Sequence, residues 1–120
     1  MNNPYQQYMQ NSVSTMTPAQ LLIALYDKAE QETNKAVYYI DNHDIEKASN
    51  SILKVQDIVA MLDSSLKMKY EVSENLAALY QFFTEQLISA NIHKDTAILK
   101  SLVPFFADLK DAFTQISRKG

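Results

Sequence analysis

An all-α fold, an antiparallel up-down four-helix bundle with an N-terminal arm, is what this 120-residue chain predicts. Two segments carry apolar residues at alternating three- and four-residue steps: Ile45, Ala48, Ile52, Val55, Val59, Leu62, Leu66, and then Leu99, Leu102, Phe106, Leu109, Phe113, Ile116. That rhythm keeps one apolar stripe on one side of a helix, because the mean step follows the helical repeat. One glycine and three prolines leave too few tight-turn signals for a β-rich chain. Short polar connections between long helical stretches favour antiparallel neighbours.

The elements follow in order. Residues 1–16 form the arm, rich in Asn, Gln and Ser but carrying Tyr5, Tyr8, Met9, Val13 and Met16. One helical turn would set Tyr5, Tyr8 and Met9 on a common face. A purely solvated tail has little use for such groups, so reversible docking of the arm on the bundle is expected. The bundle proper is expected over residues 17–120. Thr17-Pro18-Ala19-Gln20 is a helix start, with a capping hydroxyl, a proline at the first helical position and a capping-box partner three residues after the cap. The first helix is expected over about 18–40 with Leu22, Leu25, Ala29, Ala36 and Ile40 inward. The second is expected over about 45–68, the third over about 74–91 and the fourth over about 96–117, with Asp95 as cap. Pro104 interrupts the hydrogen-bond ladder of the fourth helix, yet the stripe continues across it, so a bend rather than a break is expected.

Composition removes several function classes. Eleven basic against fourteen acidic residues give a net charge of −3, and Arg118 is the one arginine. Nucleic-acid binding needs clustered cations, and none cluster here. Absence of cysteine removes disulfides and thiolate chemistry. The start lacks a basic and apolar leader, and the longest apolar run, Leu21 to Tyr26, is too short to span a bilayer. A cytoplasmic protein without membrane insertion is the resulting expectation.

Catalytic and metal chemistry find no footing either. His43 and His93 fall in expected turns, and neither follows a Glu by three residues as a di-iron bundle requires. The carboxylates are scattered singly over expected outer faces, with no arginine partner. Neither a metal, a cofactor nor an enzyme activity is therefore expected. Small helical enzymes, phosphotransfer modules and structural helical oligomers of this size are the alternatives. What remains is apolar surplus outside the stripes: Leu53, Ile58 and Met61, then Phe82 and Ile88, then Ile98, Phe105 and Ala112, with Leu21, Ile23, Tyr26 and Val37 at the start. Large uncovered apolar patches are rare on monomers, so this surplus points to a groove for a partner polypeptide. Leu21, Tyr26, Ile58, Leu76 and Tyr80 are the expected groove residues.

The chain also resembles the flagellin-specific export chaperones of the FliS family. The resemblance lies in Tyr5-Gln-Gln-Tyr8, Val13-Ser-Thr15, Thr17-Pro18, Leu21-Leu-Ile-Ala-Leu-Tyr-Asp-Lys-Ala29, Ile52-Leu-Lys-Val-Gln-Asp-Ile-Val59, Leu62-Asp-Ser-Ser-Leu66, Asn75-Leu76, Leu79-Tyr80 and Leu87-Ile-Ser-Ala-Asn91. It implies a cytoplasmic bundle that binds the disordered C-terminal segment of flagellin, prevents premature polymerisation and assists type III flagellar export. It further implies the export gate and a flagellin-assembly regulator as partners. In the family the arm lies near the binding surface, so Tyr5, Tyr8, Met9 and Val13 join the expected partner-binding set. Three departures stand out: Lys28 where the family usually has glycine, Lys67-Met-Lys-Tyr-Glu71 where glycines are common, and Phe113 in place of a frequent tryptophan.

Overall fold

The computed structural model describes residues 16–66 and 73–119. The arm residues Tyr5, Tyr8, Met9 and Val13 lie outside that range, as does the altered connection Lys67–Glu71. Four helices run in order: α1 (Pro18–Asp41), α2 (Ile45–Ser65), α3 (Ser73–His93) and α4 (Thr96–Lys119). At about 1.5 Å per residue each is roughly 32–36 Å long. They pack as a ring in chain order, α1 against α2, α2 against α3, α3 against α4 and α4 against α1.

Local chemistry sets the helix ends. Thr17 Oγ1 accepts the Gln20 amide at 3.2 Å while Gln20 Oε1 accepts the Thr17 amide at 2.9 Å, a reciprocal capping box. Asp44 caps α2 by accepting the Lys47 amide, and Asp95 caps α4 by accepting the amides of Ala97 and Ile98. At the shared end of the bundle α1 and α3 stop in the same way. His43 and Lys94 adopt positive φ, 60° and 50°. The following amides of Asp44 and Asp95 reach back to Tyr39 O and Ala90 O. α4 continues through Pro104 as one helix.

Both heptad stripes face inward. Ile52, Val55, Val59 and Leu62 meet Leu99, Leu102 and Phe106 in a single core, joined by Tyr26, Tyr80, Phe83 and Leu87. Ala29, Ala36 and Ala48 are fully buried as well, and such short side chains let neighbouring backbones approach closely.

One expectation fails. The carboxylates do not all lie singly on outer faces, because Glu32 is only 1% exposed. Its Oε1 accepts from both Lys28 and Lys35 at 3.3 Å, and its Oε2 has no hydrogen-bond partner. Burial pushes its acidity toward the neutral form, but the two ammonium groups outweigh it and hold the carboxyl below the ordinary range. Across the α1–α4 seam Lys110 Nζ bridges Asp27 at 3.2 Å and Glu30 at 3.0 Å.

Candidate functional site

The surface around α3 differs from the rest of the bundle. Apolar residues on α3 are spread around its circumference rather than gathered in one stripe, and both of its outer flanks retain exposed large side chains. On the flank toward α4, Phe82 is 40% exposed and packs edge-on against Phe105, with ring centroids 6.0 Å apart. Phe105 also meets Phe83, which lies fully buried against Phe106. Ile98 and Ala112 sit seven residues either side of Phe105, so they extend its line along α4.

The flank toward α2 holds a cleft of about 430 Å³ lined by Val59, Ala60, Asp63, Ala77, Tyr80, Gln81 and Thr84. Its walls set Ala60 and Asp63 of α2 opposite Ala77, Gln81 and Thr84 of α3. Leu53 lies seven residues before Ala60, and Ile88 seven after Gln81. In antiparallel helices that places Leu53 and Ile88 along the same flank, two turns beyond the cleft. Both are exposed, and Ile92, one further turn along, is 72% exposed. Cleft and exposed apolar side chains thus lie in line along α2 and α3.

Tyr80 supports this cleft from beneath. Its hydroxyl hydrogen-bonds that of Tyr26 on the diagonally opposite helix α1. Burial pushes both phenols above their ordinary acidity range, so each keeps its proton. Tyr26 in turn stacks on Phe113, centroids 5.6 Å apart.

Of the expected groove residues, Tyr26, Ile58 and Tyr80 are buried in the core, Leu76 is half-buried against it and Leu21 is half-buried. The structure brings Tyr26 and Tyr80 together, and Tyr80 alone of the five lines the cleft. From the wider surplus, Leu53, Met61, Phe82, Ile88 and Phe105 are exposed. Tyr38, Ile45, Ile92 and Ile116 are exposed too, though the periodicity did not single them out as spare. Ile45 and Ile116 end their stripes, where neighbouring helices run out; exposure there is legible only from helix ends. Gln81 and Thr84 are ordinary surface residues by spacing, and Asp63, though inside the Leu62-Asp-Ser-Ser-Leu66 segment, is not marked by periodicity.

Charge separates the two halves as well. α3 has no lysine or arginine, only Glu74 and Glu85. Among the described residues no cluster of His, Cys, Asp or Glu is arranged to hold a metal ion, and no helix is long and apolar enough to cross a membrane.

Comparison with known proteins gives consistent matches. A family model described as "Flagellar protein FliS" matches residues 1–120. The flagellar secretion chaperone FliS of Bacillus subtilis is 34% identical over 115 residues, covering 96% of this chain and 86% of the relative. The protein of the same description from Salmonella typhimurium is 24% identical over 117 residues, covering 92% and 84%. A crystal structure of a bacterial flagellar chaperone superposes with a TM-score of 0.81 over 97% of this chain and 96% of that one. Its identity is 19%, so this last likeness concerns the fold.

Proposed function

This chain belongs to the FliS family, a family of chaperones and not of enzymes, and from that premise we propose that it holds flagellin in the cytoplasm before export. The segment it holds is the disordered C-terminal stretch of flagellin. Holding that stretch prevents premature polymerisation and keeps the subunit fit for type III flagellar export. The export gate and a flagellin-assembly regulator are further partners in this reading.

One observation carries the proposal: the large apolar side chains left uncovered on both flanks of α3, Leu53, Ile88 and Ile92 on one and Phe82 and Phe105 on the other. A cargo that packs as helices in its final assembly must present apolar stripes, and helix-in-groove docking covers such stripes. Folding on binding offsets part of the contact energy with ordering entropy, which suits a cargo that must later be released. Tyr26, Leu76 and Tyr80 act in this reading as the floor under the groove, Leu21 as part of its margin, and Ile58 as core that holds α2 in place. Tyr5, Tyr8, Met9 and Val13 occupy part of the same groove when cargo is absent.

The test is titration of the chain with the C-terminal segment of flagellin from the same bacterium. Leu53→Ser with Ile88→Ser should weaken binding at least about tenfold, the equivalent of 1.4 kcal/mol, with the melting temperature kept. Undiminished affinity in this double variant, with wild-type stability, overturns the groove.

A further inference from the structure

We infer that the α2–α3 cleft is a receptor for one arginine side chain of the docked polypeptide, anchored on the Asp63 carboxylate. The inference rests on the docking reading above and adds the chemistry of one contact within it.

The cleft is too small for a helix and suits one long side chain. Its volume of about 430 Å³ lies toward the low end of ligand-site volumes, about 300–1,000 Å³. Val59, Ala60, Ala77 and the Tyr80 ring give it an apolar floor, while Asp63, Gln81 and Thr84 are its polar groups. Much of the donor capacity on that polar side is already engaged. Thr84 Oγ1 donates to Tyr80 O at 3.0 Å, and Gln81 Nε2 donates to Glu85 Oε1 at 3.4 Å. A carboxylate only accepts, so the Gln81 amide turns its nitrogen toward Glu85, leaving its Oε1 as an acceptor and one N–H unused by that contact.

The cleft therefore offers mainly acceptors: two carboxylate oxygens of Asp63, the Gln81 carbonyl oxygen and the remaining lone pairs of Thr84. Among the described residues no lysine or arginine stands within ion-pair distance of Asp63. A fitting occupant brings several donors, a positive charge and an apolar stem. Arginine has all three: its methylenes lie on the floor and its planar fork meets acceptors in more than one direction. An acidic side chain would leave acceptors facing acceptors, an amide would bring donors without the charge, and an aliphatic one would leave the carboxylate unmatched.

The full chain, labelled with 15N, is titrated with Nα-acetyl-arginine methylamide and, as a matched apolar control, Nα-acetyl-norleucine methylamide. The arginine amide should give saturable shifts at the amides of Ala60, Asp63, Gln81 and Thr84. Asp63→Asn should weaken that binding about tenfold, the loss of a charge-assisted pair, whereas Asp57→Asn on the exposed side of α2 should leave it unchanged. Full-length flagellin should bind Asp63→Asn more weakly by a similar factor. Equal shifts with norleucine, or an Asp63→Asn variant that binds the arginine amide like wild type, overturns the assignment while leaving the docking groove standing. If flagellin fails to bind the wild-type chain although the arginine amide still titrates, the chaperone reading falls and the receptor cleft survives it.

Discussion

α1 and α3 stand diagonally across the bundle and solve opposite problems. α1 packs extensively against both neighbours, more than α3 does against either of its own. Its seams carry ionic groups: Lys110 reaches from α4 to Asp27 and Glu30, and Lys28 and Lys35 hold Glu32. α3 has two exposed apolar flanks, a cleft and no lysine or arginine. In a four-helix ring every helix has two neighbours, so the contrast comes from side-chain choice rather than topology. Short residues such as Ala29 and Ala36 let α1 sit close to its partners. Large residues turned outward on α3 leave surface for another chain.

The sharpest test uses adjacent phenylalanines. Phe83 is fully buried and Phe82 is 40% exposed. Phe83→Ala should lower unfolding stability by about 3–5 kcal/mol, read from denaturant midpoints. Phe82→Ala should cost under about 1 kcal/mol by the same measurement, while weakening cargo binding. Equal stability losses would erase the distinction between a core side and a docking side of α3.

A smaller effect is expected where the two helices touch. Tyr26→Phe leaves the buried Tyr80 hydroxyl without its partner and should cost about 1–3 kcal/mol. Replacing both tyrosines with phenylalanine should recover most of that loss, since neither hydroxyl then needs a partner. A double variant as unstable as the single one would mean that packing, not the hydroxyl pair, ties the diagonal together.

How much of this was legible follows from the kind of signal involved. The helices, the Thr17 and Asp95 caps and the inward stripes are local patterns, so periodicity and capping chemistry reach them. Leu53, Phe82, Ile88 and Phe105 were visible as apolar residues that no stripe uses. The same count took Ile58 and Tyr26 as spare, yet both are buried. Their helices bury a face wider than one heptad line, because each packs against two neighbours. The Tyr26–Tyr80 pair joins residues 54 positions apart, and no spacing rule connects them. Glu32 was missed although Lys28 and Lys35, four before and three after, form a sequence signature of a carboxylate held on a helix.

That ionic site yields the smallest of the expected effects. The Glu32 carboxyl is held below its ordinary range, so its contribution is present above that range and disappears as pH falls through the lowered value. Glu32→Gln should therefore flatten the acid limb of the stability curve, read as a smaller drop in melting temperature between about pH 6 and about pH 3. An unchanged acid limb would remove Glu32 from the forces that seal the α1 side.

The lysine-free character of α3 has a practical consequence. Trypsin and amine-directed cross-linkers act on lysine, and neither finds a target between Ser73 and His93. A footprint of bound cargo made with those reagents would report α1, α2 and α4 and stay blind along the very helix where contact is expected. Carboxyl-directed labels, which can read Asp63, Glu74 and Glu85, suit this molecule better.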